Sequence, residues 1–167
     1  MDKSLQVKFQ YFLEQFPIIE LPVILGDETH HLFSKNNEPL KPLLIEQYIA
    51  PIEGEMPDDL TEFVPCFKIP DTLDFHAIVY WKAGLMNYHY VMATFDKAGN
   101  LIDRRILGGT YSDGKTITKS VATIDADWMI YVVTGQIEGS DTVYDAASSK
   151  AFDLELLPDG RIVQSIE

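Results

Sequence analysis

The stretch Leu73–Phe95, LDFHAIVYWKAGLMNYHYVMATF, decides the architecture of this chain. It is rich in aromatic and β-branched residues, which favour strands, and it contains no proline. The small pair Ala83-Gly84 in its middle predicts a tight turn between two strands of about ten residues each. A two-residue turn places Ile78 directly opposite His89 across the predicted hairpin.

Alternation along the hairpin separates two faces of the predicted sheet, because successive strand residues point to opposite sides. The first face is bulky and aromatic, and we expect it to form the main core: Phe75, Ala77, Val79, Trp81, Met86, Tyr88, Tyr90 and Met92. The second face is mixed: His76, Ile78, Tyr80, Lys82, Asn87, His89, Val91 and Phe95. Its apolar members are too numerous for free exposure to water. Either the N-terminal helix covers this face, or the sheet curls so that the face lines a cavity.

The same alternation extends to the two neighbouring strands. A three-residue turn at Pro70–Thr72 places Cys66 on the second face, opposite His76, and Phe63 and Phe67 on the first. A bulged turn at Lys97–Gly99 carries the pattern onward. It adds Leu101, Asp103, Arg105 and Leu107 to the second face and leaves Arg104 as a misfit on the apolar face.

Strand-like segments separated by turn residues continue to the end of the chain. They are predicted near residues 63–69, 73–82, 85–95, 100–108, 115–124, 128–137, 148–157 and 161–166, with a loop from Glu138 to Ala147. Connections this short favour an antiparallel meander, because parallel strands need long crossovers. The segment 128–134, WMIYVVT, shows no alternation and is predicted to be covered on both faces.

The first 62 residues have a different pattern. Apolar positions between Ser4 and Phe16 recur at helical spacing, and Pro17 ends that helix. Pro22 makes its apolar neighbourhood an edge strand or an extended connector. Asp27–His31 suggests a short helical turn, and a second helix is predicted from about Pro39 to Ile49. Residues 50–62 read as an acidic linker.

The chain is therefore predicted to be one domain spanning residues 1–167. Residues 1–62 form a helical N-terminal segment and an acidic linker, and residues 63–167 form the meander. The fold class is α+β, with N-terminal helices packed on a strongly curved antiparallel sheet of about eight strands. A partly open barrel is the alternative form of the same sheet.

Composition limits the classes of partner. Thirteen basic against 26 acidic side chains give a net charge of −13. Such a surface repels phosphate backbones and anionic lipids, so neither nucleic acid nor a membrane is an expected partner. The single cysteine, Cys66, allows no internal disulfide and no four-cysteine zinc site. The first residues lack a long apolar run, which points to a cytoplasmic protein.

The mixed face supplies the candidate ligand-binding residues: Cys66, His76, Tyr80, Asn87, His89, Asp103 and Arg105. We expect a non-enzymatic module that binds a protein or a small molecule, because no motif for catalysis, phosphate binding or metal binding is present. A ligand-binding version predicts a cavity lined by Tyr80, Asn87, His89 and Arg105. A protein-binding version predicts an exposed apolar patch or a homodimer interface. No cofactor, metal or catalytic residue is assigned.

The alternative is a thiol- or metal-dependent enzyme. In it, Cys66 acts with His76 and His89, either as an activated nucleophile or as a set of metal ligands. A simpler interpretation is favoured over both chemical ones. In this interpretation, His76 and His89 are half-buried polar residues that form hydrogen bonds beneath the covering helix.

Overall fold

The protein is known from a computed structural model that describes residues 8–26, 28–85, 87–138 and 145–165, with only the backbone for residues 137, 138 and 145–148. Within these ranges it has nine antiparallel strands: β1 (Val23–Leu25), β2 (Glu62–Lys68), β3 (Phe75–Ala83), β4 (Asn87–Asp96), β5 (Leu101–Ser112), β6 (Thr116–Ile124), β7 (Met129–Glu138), β8 (Asp145–Leu156) and β9 (Ile162–Gln164). Strands β2 to β9 follow one another in the sheet, which is not closed. The α+β meander is confirmed.

The helical part is longer than predicted. Helices α1 (Phe9–Glu14) and α2 (Thr29–Asn36) come first. They are followed by one continuous helical segment, which consists of α3 (Pro42–Leu44), a π turn (Ile45–Ile49) and α4 (Ala50–Glu53). The predicted linker therefore begins only after Glu53. Pro51 is tolerated because it lies at the start of α4, directly after the π turn, where the helix does not require the N–H group that proline lacks. The predicted helix start at Ser4 and the first residue of the predicted helical turn, Asp27, lie outside the described residues.

The segment around Pro22 forms an edge strand, as predicted. Strand β1 pairs only with β6, with Leu25 opposite Ala122. Because this pairing covers the half of β6 that β5 does not reach, β1 completes the sheet at that corner. No helix in the described part of the chain is long and apolar enough to cross a membrane.

Two apolar cores lie on the two faces of β3 and β4. Val79, Trp81 and Met92 belong to the larger core, together with Ile130 and Leu154 from β7 and β8. On the opposite face, Ile78, Tyr80, Val91 and Phe95 form a second core with residues of the helical segment: Phe12, Leu13, Phe16, Leu44, Ile49 and Ile52. The expected covering of the mixed face by helices is thus confirmed. Each buried side chain of this size stabilises the fold by roughly 1.5–3 kcal/mol.

The hairpin register differs from the prediction. Lys82 lies opposite His89 and Ala83 opposite Tyr88, whereas a two-residue turn would place Lys82 opposite Leu85. The shift of four residues is even, so each β3 and β4 side chain keeps its predicted face. Only Met86 falls outside the described residues.

A bulge at Cys66 overturns the predicted faces of Cys66 and Phe63 in β2, whereas Phe67 keeps its predicted face. Pro65 pairs with Tyr80 and Phe67 with Val79, which leaves Cys66 as the extra residue. Cys66 consequently lies in the larger core, not opposite His76, and Phe63 lies in the core beneath the helices. A bulge exchanges the faces on its two sides, and nothing in the residue pattern announces it.

Strand β5 also departs from the prediction at Asp103, Arg104, Arg105 and Leu107, whereas Leu101 keeps its predicted face opposite Phe95. A register shift between Thr94 and Phe95 places Arg104 opposite Ala93, beneath the helices, so this residue is no misfit. Asp103 and Arg105 instead face β9. Oδ2 of Asp103 accepts a hydrogen bond of 2.8 Å from the Ile162 N–H, and Arg105 donates to the Ile162 carbonyl at 3.5 Å. Leu107 belongs to the larger core.

Strand β7 is covered on one face only. Ile130 and Val132 are buried, whereas Tyr131 and Val133 are 40% and 47% exposed. The prediction of a strand covered on both faces is wrong here, because the helices lie over β3 and β4 instead.

Candidate functional site

A buried carboxylate links the helices to the sheet. Helix α4 ends at Glu53, where Gly54 adopts a left-handed conformation, and the Glu53 side chain is only 4% exposed. Its Oε2 atom accepts hydrogen bonds from the Tyr80 hydroxyl at 2.7 Å and from the Arg104 guanidinium at 3.3 Å. Its Oε1 atom accepts a hydrogen bond from the Lys82 ammonium group. We call these four residues the Glu53 cluster.

The cluster keeps Glu53 ionised. Burial opposes its charge, but hydrogen bonds from Lys82 and Tyr80 and the charges of Lys82 and Arg104 outweigh burial and lower the pKa of Glu53. Burial, followed by the nearby Glu53 charge, raises the pKa of Tyr80, so this phenol stays a neutral donor. Nε of Arg104 is buried and finds no hydrogen-bond partner among the residues that the structure describes.

His89 lies next to this cluster, across the β3–β4 ladder from Lys82. Burial, and then the positive charges of Lys82 and Arg104, lower the pKa of His89, although the charge of Glu53 opposes them. The imidazole is therefore neutral near pH 7. A neutral imidazole offers one hydrogen-bond donor and one acceptor.

A groove of about 270 Å³ adjoins His89. Strands β4 to β8 supply its lining: Asn87, Tyr88, His89, Ile106, Leu107, Gly108, Gly109, Thr110, Tyr111, Thr118, Ser120, Val132, Thr134 and Phe152. The hydroxyl groups of Ser120 and Thr134 are hydrogen-bonded to each other at 2.9 Å. Oδ1 of Asn87 is buried and has no hydrogen-bond partner within the described part of the chain. We call this feature the Asn87 groove.

Two glycines allow β5 to pass close to its neighbours at this groove. A Cβ atom on Gly109 would lie 2.0 Å from the Tyr88 carbonyl oxygen, and one on Gly108 would lie 2.9 Å from the Ser120 carbonyl oxygen. Gly109 also has a φ of 145°, which residues with side chains rarely adopt. Any larger residue would therefore push β4 and β5 apart where they line the groove.

The structure divides the predicted ligand-face residues among several places. Asn87 and His89 line the Asn87 groove, whereas Tyr80 is buried in the Glu53 cluster. His76 keeps the predicted face but lies near the other end of β3, with its ring centroid 5.9 Å from that of Phe9. Cys66 lies in the larger core, and Asp103 and Arg105 face β9, as described above. The predicted cavity therefore keeps two of its four residues.

The thiol and metal arrangements are not assembled. Cys66 is 1% exposed, and its sulfur donates to the Val64 carbonyl at 3.7 Å. Burial raises the pKa of Cys66, so the thiol stays protonated and unreactive. Among the described residues, no three His, Cys, Asp or Glu side chains are grouped to hold a metal ion.

Sequence reasoning missed three residues of the Glu53 cluster as site residues. Lys82 was on the mixed face but was not singled out, and Arg104 was set aside as a misfit. Its charge at an otherwise apolar position was a usable signal, because buried cations require an anionic partner. Glu53 had no such signal, because its proline-flanked surroundings resemble a loop.

No protein-family model matches this chain, and no curated protein or solved structure matches it either. The geometry of the site is therefore the basis for assigning a function.

Proposed function

We propose that this protein is a non-enzymatic module that binds a small molecule in the Asn87 groove. One observation carries the proposal: the groove has apolar walls, and Asn87, one of its lining residues, has a buried Oδ1 atom without a hydrogen-bond partner among the described residues. A buried acceptor left unsatisfied costs about 1–3 kcal/mol, which a ligand bearing an N–H or O–H group would recover. Pockets for small molecules combine apolar walls with a few such polar groups.

The lining residues define the chemistry of the ligand. Ile106, Val132 and Phe152 favour a compact apolar body. Asn87 requires a donor, and the paired hydroxyl groups of Ser120 and Thr134 offer further hydrogen bonds. The net charge of −13 and the neutral His89 disfavour an anion. We therefore expect a small, uncharged ligand with an amide or hydroxyl donor.

Binding rather than catalysis is favoured by the state of the polar groups. The Ser120 hydroxyl is paired with Thr134 and not with a histidine. The Tyr80 hydroxyl, a group that can act as a general acid, is held in the Glu53 cluster. The protein-binding version, the homodimer and the cytoplasmic location stay predictions.

A fragment screen tests the proposal. Small amides and alcohols should shift the backbone amide signals of β4, β5 and β6 in two-dimensional NMR spectra. Asn87→Leu, which keeps the side-chain volume but removes the acceptor, should weaken the best fragment about tenfold, the effect of losing one hydrogen bond. Asn36→Leu is the matched control, because Asn36 is exposed on α2. A library without groove-binding fragments, or equal affinity for Asn87→Leu, would overturn the proposal.

A further inference from the structure

A second groove, of about 430 Å³, lies where three separate segments meet. The segment Ile18–Leu21 forms one wall, the turn after β2 forms another, and the turn between β6 and β7 forms the third. We call it the Trp128 groove. Its lining residues are Ile18, Ile19, Glu20, Leu21, Pro70, Asp71, Ala126 and Trp128. None of them lines the Asn87 groove, so this site is independent of the function proposed above.

The backbone is strained at two of these positions. Asp71 and Trp128 have φ values of 64° and 69°, and they are the two non-glycine residues with positive φ in the described ranges. Aspartate tolerates this conformation, but for a bulky aromatic residue it is exceptional. Such strain is concentrated at functional sites.

The surrounding structure holds Trp128 in place. Its backbone N–H donates to the Asp125 carbonyl at 3.0 Å, and its own carbonyl accepts from the Leu156 N–H at 3.1 Å. The indole ring meets Phe75 edge to face, with the centroids 5.7 Å apart and the planes at 84°. Trp128, which lines the groove, is thus held in place through its backbone and its ring.

The charges of the lining are of one sign. Glu20 and Asp71 are its charged members, and the remaining residues are apolar or aromatic. Lys68 and Lys97 line the adjoining cavity on the other side of Asp71. A cation is therefore favoured beside Glu20 and Trp128, neither of which lines the cavity that contains the lysines. An indole face attracts ammonium groups, and two carboxylates add to that attraction.

We propose that the Trp128 groove binds an alkylammonium group carried on an apolar body. The ammonium group lies against the Trp128 ring and between the Glu20 and Asp71 carboxylates. The alkyl body contacts Ile18, Ile19 and Leu21, of which Ile18 is 69% exposed. The same chemistry is available from a free amine and from a lysine side chain.

An isosteric series tests the proposal with the whole chain. Hexylamine, hexanol and hexanoate share one apolar body and differ in charge. The chain has two tryptophans, so its two indole N–H signals are assigned by comparison with Trp128→Phe. Hexylamine should shift the Trp128 signal, and hexanol and hexanoate should shift it at least about tenfold less at equal concentration. Comparison of hexylamine with an end-blocked lysine then distinguishes a free amine from a lysine side chain, and binding of either supports the site.

Matched charge variants complete the test. Glu20→Gln combined with Asp71→Asn should weaken hexylamine binding about tenfold or more, and asparagine tolerates the φ of position 71. Asp58→Asn combined with Asp59→Asn changes the net charge equally at the distant acidic loop and should leave binding unchanged. Equal weakening by both pairs would reduce the effect to general electrostatics and overturn the proposal. So would equal binding of all three compounds, or an unmoved Trp128 signal.

Discussion

The Tyr80 hydroxyl donates a hydrogen bond of 2.7 Å to Glu53, which joins the end of α4 to the middle of β3. Lys82 and Arg104 bind the same carboxylate, so one acidic side chain fixes the helical layer on the sheet. The Asn87 groove begins beside this junction, at His89. The groove and the Glu53 cluster are therefore neighbours, joined by the Lys82–His89 pair.

Removal of the Glu53 carboxylate should destabilise the protein. Glu53→Ala leaves Lys82 and Arg104 without their anion, and loss of one partner from a buried pair costs about 3–5 kcal/mol. We expect the free energy of unfolding to decrease by about 3 kcal/mol, the low end of that range, because the Arg104 side chain is 37% exposed and partly screened by water. Urea unfolding measures the change. Glu55→Ala, at an exposed neighbouring position, is the control, and equal stability of the two variants would contradict the role of the cluster.

Acid should weaken the fold in two stages. Burial, followed by nearby lysine charges, lowers the pKa values of both His76 and His89 below their ordinary value of 6.5. As the pH falls, these histidines therefore bind protons in the unfolded chain before they do so in the folded protein. The free energy of unfolding should consequently decrease as the pH drops below about 6.5. The pKa of Glu53 is also lowered, so its contribution is lost further down, below its ordinary value of 4.5.

Histidine variants identify the first stage. Unfolding midpoints measured between about pH 7.5 and 5.5 should fall less steeply in His76→Gln combined with His89→Gln than in the unchanged protein. A slope that the double variant leaves intact would mean that these two imidazoles are not the titrating groups.

Cys66 should be inert in the folded protein. Its sulfur is buried in the larger core and its pKa is raised, so almost no thiolate is present at neutral pH. Iodoacetamide should modify Cys66 only after denaturation, as mass spectrometry of the intact protein would show. Rapid labelling of the native protein would revive the thiol enzyme as a candidate.

Substitution of Gly109 should disrupt the groove region. Gly109→Ala combines a positive φ with a Cβ atom 2.5 Å from the His89 Cα atom, and we expect a loss of about 3 kcal/mol or more. Gly114 also has positive φ, but a Cβ there has no neighbour within 4 Å, so Gly114→Ala should cost only about 1 kcal/mol. Similar thermal stability of the two variants would contradict the close approach at Gly109.

The sequence predicted the strands better than the site. Alternation identified the two faces of β3 and β4. The predicted pairing of these strands was wrong by four residues, and a shift by an even number leaves each side chain on its predicted face. The bulges at Cys66 and between Thr94 and Phe95 could not be foreseen, because a bulge requires no particular residue. Each one moved candidate residues to another face: Cys66 in one case, Asp103 and Arg105 in the other.

The Glu53 cluster was hidden for a different reason. Its carboxylate lies 27 residues before Tyr80 and 51 before Arg104, in a segment whose prolines and acids predict a loop. The π turn carries the helix past Pro51 and so delivers Glu53 to the sheet. Local sequence patterns contain no information about contacts between residues so far apart in the chain, and only the packed structure reveals them.

Crystals soaked with small amides and alcohols test the central claim most directly. The account predicts that one of these compounds occupies the Asn87 groove with its N–H or O–H group within about 3 Å of Oδ1 of Asn87. The contradictory result is a groove filled by the protein's own side chains, with Oδ1 of Asn87 hydrogen-bonded inside the protein and no compound bound.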